Sequence, residues 1–412
     1  MQPVVGDYPL GRTKAWSTVV GSCLLIFFAT GLPTAFGVFQ DFYTLTWLND
    51  SSASKVSWIG STQLFFELSF APIAGSLFDS KHFRASIITG CALVSISMFA
   101  LSFSKQNKYY QVFLSQGIGV GLGISLLYLP TAAVVSQHFR SRRSLALGIV
   151  SSSASLGGVV FSIMLNKLLH GTIGFAWAVR ITSFIILGCS IVGNLLIVEP
   201  KLIHSQPLHR KEEHTALPIW DLIFALILIS AFIASLGTYF PIFYIQLFAK
   251  MHGIDDNLAF YSVAILNAAC MIGRVGLNLF ADRFGPMNVL IVCLSVCGGV
   301  VLAMFGCTRA VGLVLFAILL NGFPWTIVLS VYLPTIAALR QDNVDIGKRM
   351  GISLAPIGIA YLIGSPIIGV ALGPNFSWWK GIIFAATTMI IAVIILVIVK
   401  FLSSNVLYRR RG

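Results

Sequence analysis

Twelve predominantly apolar stretches, each long enough to cross a bilayer, recur along this chain of 412 residues and leave few folds open to it. About 20 apolar residues in a helix span ~30 Å of hydrocarbon, and there every backbone polar group needs a partner within the protein. The runs therefore predict membrane-spanning helices. They cover residues 16–42, 56–78, 85–104, 109–136, 143–166 and 175–198, then 219–247, 258–280, 286–306, 310–339, 347–372 and 377–402. Only 10% of the residues are charged and 57% are hydrophobic, against about 25% charged in a soluble domain. A water-soluble enzyme is excluded. The first run is about 27 residues long and contains Pro33, too long for the apolar part of a cleavable signal, so it is read as a span.

One hydrophilic segment, 199–218, divides the spans six and six. The expected organisation is a cytoplasmic tail at 1–15, a six-helix bundle at 16–198, a cytoplasmic linker at 199–218, a second bundle at 219–402 and a basic tail at 403–412. The net charge of +13, from 27 Lys and Arg against 14 Asp and Glu, would suggest nucleic acid in a soluble protein. Here it marks topology, and no nucleic-acid partner is expected. With the N-terminus inside, 18 loop and tail cations fall on the cytoplasmic side and 7 on the outer side. Both termini are thus expected in the cytoplasm, with the sequons at Asn49 and Asn375 outside. The lipid bilayer is the expected surrounding of the spans, and the basic tail, Arg409 to Arg411, is read as a topology marker, with binding to anionic lipid as the alternative.

The chain also repeats itself. Tyr128-Leu129-Pro130-Thr131 recurs 204 residues later as Tyr332-Leu333-Pro334-Thr335; Asp79 recurs as Asp282, and Gly148-Ile149 as Gly351-Ile352, each 203 residues on. Three anchors at one offset, each in the matching helix of a six-plus-six division, indicate a tandem duplication. The fold class expected is an all-α polytopic membrane protein of twelve transmembrane helices in two pseudo-symmetric six-helix bundles. Parallel halves with a substrate site between them near the midplane are the architecture of rocking secondary transporters.

The loop after the second span, Gly75 through Leu77 and Asp79 to Arg84, resembles the GxLxD...R signature of the major facilitator superfamily, and residues 273–285 (GRVGLNLFADRFG) repeat it. Residues 36–43 (FGVFQDFY), 56–65 (VSWIGSTQLF), 113–123 (FLSQGIGVGLG), 128–158 and 174–180 (GFAWAVR) are similar to the fungal branch of its monocarboxylate-transporter-like members. The resemblance implies a carrier of small organic anions, proton-linked or facilitated. It also implies a conformational latch at Asp79, Arg84, Asp282 and Arg283, where acids at helix ends beside arginines must part when the halves reorient. Relatives of animal origin often work with a single-span partner glycoprotein, which the sequence neither requires nor excludes.

Charge inside a span is costly and marks function by default. Arg274 matches the arginine that the resemblance assigns to the substrate carboxylate, and a guanidinium binds a carboxylate bidentately; a structural pair with Asp282 is the alternative. Glu67 sits at the centre of the second span, where a lone acid is least costly when protonated, as a proton carrier requires. Its alternatives are a permanent salt bridge with Arg274 or a protonated structural role. Arg180 is read as an interfacial anchor. Two groups of the animal pattern are missing: Thr34 stands where it has a lysine and Cys270 where it has an acid, so that relay does not carry over. Thr34, Tyr128, Asn267 and Tyr332 complete the expected substrate contacts.

No GxxxxGK[ST] occurs, so energy is expected from a gradient rather than ATP. No cofactor and no metal are expected, since the seven histidines lie in loops or at span ends and the seven cysteines form no CxxC pair. A membrane-embedded enzyme is disfavoured on the same ground. The leading expectation is a secondary transporter, not an enzyme, moving a monocarboxylate-like anion, either as a proton symporter or without protons, in the plasma membrane; a vacuolar or other organelle membrane is the alternative. A facilitator of neutral metabolites and a non-transporting sensor with the carrier fold are the other readings, and a sensor is expected to add a long signalling tail.

Overall fold

Each apolar run becomes helix wherever the backbone is described. The computed structural model describes residues 11–79, 82–139, 143–199, 222–276, 284–322, 332 and 346–409. The first six rods are α1 (Arg12–Trp47), α2 (Ala53–Ser69, continuing after a bend as Ala71–Asp79), α3 (Phe83–Leu101), α4 (Tyr109–His138), α5 (Arg143–Leu169) and α6 (Gly174–Leu196). The second six are α7 (Leu222–Met251), α8 (Asp256–Gly276), α9 (Pro286–Gly306), α10 (Ala310–Gly322, with Tyr332 further on), α11 (Ile346–Leu372) and α12 (Trp378–Arg409). Among the described residues nine rods or parts of rods are long and apolar enough to cross a membrane. The linker 199–218 lies outside the described residues apart from Glu199, and α12 carries its helix through part of the expected tail, to Arg409. The chain enters α1 and leaves α12 at the same end of the bundle, called here the terminal end; the opposite end is the distal end.

The burial pattern is that of a protein in lipid. Leu195, Val311 and Val370 are among many large apolar side chains left exposed, while Ser, Thr, Gln and Asn side chains are buried between helices. Lipid tails are as apolar as leucine, so helices associate through close backbone approach and interhelical hydrogen bonds.

The duplication is visible in the breaks of the helices. Rod α1 is interrupted at Ala35 and α7 at Tyr239, 204 residues later. Around both breaks the residues match at that offset: Leu32 with Leu236, Thr34 with Thr238, Phe36 with Phe240 and Phe39 with Phe243. The halves meet along three seams, α2 on α11, α5 on α8, and α1 on α7. Glycine is required where helices of the two halves cross closely, as at Gly37 and Gly369. A Cβ at Gly37 would lie 2.5 Å from the Ile242 carbonyl oxygen, and one at Gly369 2.5 Å from the Ser54 Cα.

Among the described residues two segments are wound as π-helix, Tyr43–Trp47 and Phe113–Val120. The second frees the Gln116 carbonyl, which accepts from Gln63 Nε2 at 2.8 Å, while Gln116 Oε1 accepts from Tyr43 at 2.6 Å. Gln63 therefore serves the interior of the first half.

Candidate functional site between the halves

Glu67 is the starting point. It lies midway along α2, buried at 4% exposure, and its Oε1 accepts a hydrogen bond from Thr30 Oγ1 at 3.2 Å. Thr30 lies where α1 first bends, ahead of the break at Ala35, so the interruption of one helix delivers a hydroxyl to the acid of the next. The second half faces this pair with phenols. Tyr361 of α11 is buried, with Ser235 beside its hydroxyl and Glu67, Tyr332 and Tyr128 near enough for charge on them to be felt there. Tyr128 and Tyr332 are the two copies of one repeat position, so the duplication brings matching tyrosines from opposite halves towards the same partner. The Tyr332 hydroxyl is 3.2 Å from Ser230 Oγ, which donates to the Ala392 carbonyl.

An aromatic wall extends from this cluster. The Tyr361 ring meets Tyr239 edge-on at 4.6 Å, Tyr239 meets Phe243 at 5.5 Å, and Phe243 meets Phe36 of the first half at 4.9 Å. Tyr239 is itself the break of α7 and Phe36 directly follows that of α1, so the breaks place both the hydrogen-bonding and the aromatic groups at mid-depth.

The other predicted contacts form a second group on the α5–α8 seam. Asn267 Nδ2 donates to the Thr34 carbonyl at 3.3 Å and to Val263 at 2.9 Å, and Thr34 Oγ1 turns back to Gly31. Gly158 makes room for both: a Cβ there would lie 2.4 Å from Asn267 Oδ1 and 2.6 Å from Thr34 Oγ1. Ser155 Oγ donates to Cys270 Sγ at 3.2 Å on the same seam. Thus Thr34 and Cys270, which stand where the animal pattern has a lysine and an acid, both lie between the halves.

The remaining predicted residues divide as follows. Arg84 donates to the carbonyls of Asn194 at 2.7 Å and Ile197 at 2.5 Å, closing the end of α6. Arg274 and Asp79 lie on the described backbone of α8 and α2, but their side chains fall outside the described residues, as do Asp282 and Arg283 entirely. Arg180 is held near the distal end by Ser102 at 3.3 Å and by the rings of Trp177 and Phe103, 5.2 and 5.3 Å from its guanidinium.

Sequence reasoning missed three groups. Thr30 and Tyr361 are single polar residues in apolar runs, with no spacing to single them out. Asp41 left a clearer trace, since it falls inside the predicted first span, one residue from its end. Wholly buried, it receives Lys250 Nζ at 2.5 Å and Gln246 Nε2 at 3.0 Å on Oδ2, both from α7. Gln246 and Asn166 of α5 exchange two amide hydrogen bonds, 2.8 and 3.1 Å long. His170 Nε2 lies 3.8 Å from the same Asp41 oxygen. This clasp joins the halves at the distal end.

Comparison with known proteins accords with this architecture. The family model described as Major Facilitator Superfamily matches residues 15–346. The aspyridones efflux protein of Emericella nidulans is 33% identical over 391 residues, covering 94% of this chain and 78% of the relative. The agnestins efflux protein of Paecilomyces divaricatus is 37% identical over 361 residues, covering 88% and 82%. The fujikurins efflux protein of Gibberella fujikuroi is 32% identical over 410 residues, covering 98% and 85%.

Proposed function

The chain belongs to the major facilitator superfamily, and on that premise we propose that it is a proton-coupled exporter of a small organic solute, with Glu67 as the proton-carrying group. The observation that carries this reading is the burial of Glu67 at mid-depth, bonded to Thr30 of its own half and faced by Tyr361 of the other. An acid so placed is neutral when protonated and carries charge when it is not, so its protonation changes the cost of bringing the halves together. The terminal end is taken as cytoplasmic, following the excess of Lys and Arg on that side.

Export is supported by the relatives, which are named as efflux proteins. Direction then constrains the coupling. An inward proton gradient drives a solute outward only if proton and solute exchange, so the expected stoichiometric partner is a counter-moving proton rather than a co-moving one. For the solute, the reading keeps a small organic acid, monocarboxylate-like, met by Arg274 and by Tyr128, Tyr332, Thr34 and Asn267. The aromatic wall from Tyr361 to Phe36 suits a carboxylate attached to an unsaturated or aromatic body. The latch at Asp79, Arg84, Asp282 and Arg283 is retained as the terminal-end counterpart of the distal clasp.

The test is transport by inverted vesicles. A panel of labelled monocarboxylates and aromatic acids is offered with and without a proton gradient, using wild type, Glu67→Gln and Arg274→Ala. Gradient-driven accumulation that Glu67→Gln abolishes upholds the coupling, and loss of acid transport in Arg274→Ala upholds the anion site. Accumulation of neutral solutes alone, unaffected by Arg274→Ala, sinks the anion assignment. Transport whose pH dependence survives Glu67→Gln sinks the proton role.

A further inference from the structure

We propose that Asp41 and Lys250 are gate residues, an ion pair that holds the distal end shut and whose separation opens it. The proposal rests on the reading of the chain as an alternating-access carrier. The described ion pairs all converge on Asp41. Its carboxylate belongs to α1 of the first half, whereas Lys250 and Gln246 belong to α7 of the second. The other contacts of α2 with the second half at this end are neutral among the described residues: Ser54 Oγ donates to the Pro366 carbonyl of α11 at 2.7 Å, and Tyr244 of α7 donates to the Ala53 carbonyl at 3.4 Å.

Burial of such a pair is a poor way to gain stability, because drying two charges costs about as much as their attraction returns. The same balance suits a contact that must open to water. Separated charges regain hydration, while separated apolar surfaces would only lose by it. Asp41 is compensated on one side alone: Oδ2 accepts from Lys250 and Gln246, and Oδ1 has no hydrogen-bond partner among the described residues. Lys250 keeps a quarter of its side chain exposed, so water already reaches one member of the pair. The reciprocal Asn166–Gln246 amide bonds fix the register of α5 against α7, and the crossing at Gly37 and Ile242 brings the α1 and α7 backbones together one turn before the acid.

The experiment measures access rather than transport. Ser57 is wholly buried on the distal stretch of α2, and Ser57→Cys provides a reporter thiol. In lipid nanodiscs both faces meet a membrane-impermeant maleimide, so the result does not depend on orientation; the protein with native Ser57 sets the background. Asp41→Asn and Lys250→Met are each expected to speed labelling of the reporter about tenfold, as the closed state loses its ion pair. The charge-exchanged pair, Asp41→Lys with Lys250→Asp, is expected to return the rate to within about threefold of the parent. Where Asp41→Asn gives no monodisperse protein, Lys250→Met at the partly exposed position carries the test. Unchanged labelling in folded single variants overturns the gate, and so does an exchanged pair that labels as fast as the singles. Faster labelling in a protein that moves no solute upholds the gate and refutes the transport reading instead.

Discussion

The two long seams between the halves are copies of one another in backbone and opposites in chemistry. On the α5–α8 seam Gly158 leaves a space that Asn267 and Thr34 fill with neutral hydrogen-bonding groups. On the α2–α11 seam the position 203 residues after Gly158 is Tyr361, and there the facing group is an acid, Glu67. The duplication thus supplied two equivalent places where helices of opposite halves touch at mid-depth. One became a close-packed contact and the other acquired a titratable group with a phenol near it. Pseudo-symmetry explains where the seams lie, and only the departure from it explains what either can do.

Filling the space on the neutral seam is the most disruptive way to erase that difference. Gly158→Leu places atoms where Asn267 Oδ1 and Thr34 Oγ1 already lie, 2.4 and 2.6 Å from the ideal Cβ. Overpacking of a dense interface costs about 1–3 kcal/mol, so a lowered melting temperature in detergent and loss of transport are expected together. A Leu variant that melts and transports like the parent would show that the seam is looser than its contacts indicate.

On the acidic seam the expected effect is narrower and chemical. Glu67→Gln keeps the shape and can still accept from Thr30, but it cannot gain or lose a proton. Folding is expected to be retained, while the response of transport to a proton gradient falls about tenfold or more, a single protonation step being worth that much per pH unit. A variant that loses both fold and transport would move Glu67 from coupling to structure. Smaller again is Tyr361→Phe, which keeps the ring against Tyr239 and removes only the hydroxyl beside Ser235. The expected stability loss is about 1 kcal/mol, and the diagnostic result is a several-fold change in transport with an altered pH profile. An unchanged pH profile would confine Tyr361 to packing.

These expectations show which parts of the molecule could be read without coordinates. The spans were legible because hydrocarbon imposes one length and one composition on every crossing helix. Rod α9 begins and ends where its apolar run does, and α4 begins at the predicted Tyr109. The pairing of Tyr128 with Tyr332 was legible through the repeat, though its convergence on Tyr361 was not. A tyrosine in an apolar run carries no spacing that distinguishes a seam from a lipid-facing surface. Asp41 was hidden for a different reason: a charge one residue inside a span end looks like a solvated terminus. Only the burial of the distal ends of α1, α7 and α5 against each other turns it into an interior group.

Arg180 gives the comparison its control. It is a charge within a predicted span, as Glu67 is, yet it touches neither seam. Its guanidinium lies against Trp177 and Phe103 and donates to Ser102, all within the first half. Partly exposed cation–π contacts are worth about 0.5–1 kcal/mol, so Arg180→Gln should lower the melting temperature by a few degrees at most, the scale such a loss sets for a domain of this size. Transport rate and its pH profile should stay with the parent, because nothing that must part between the halves is held by this residue. A large transport defect in well-folded Arg180→Gln would mean that charge near the distal end acts at a distance, through the field across the membrane rather than through the seams.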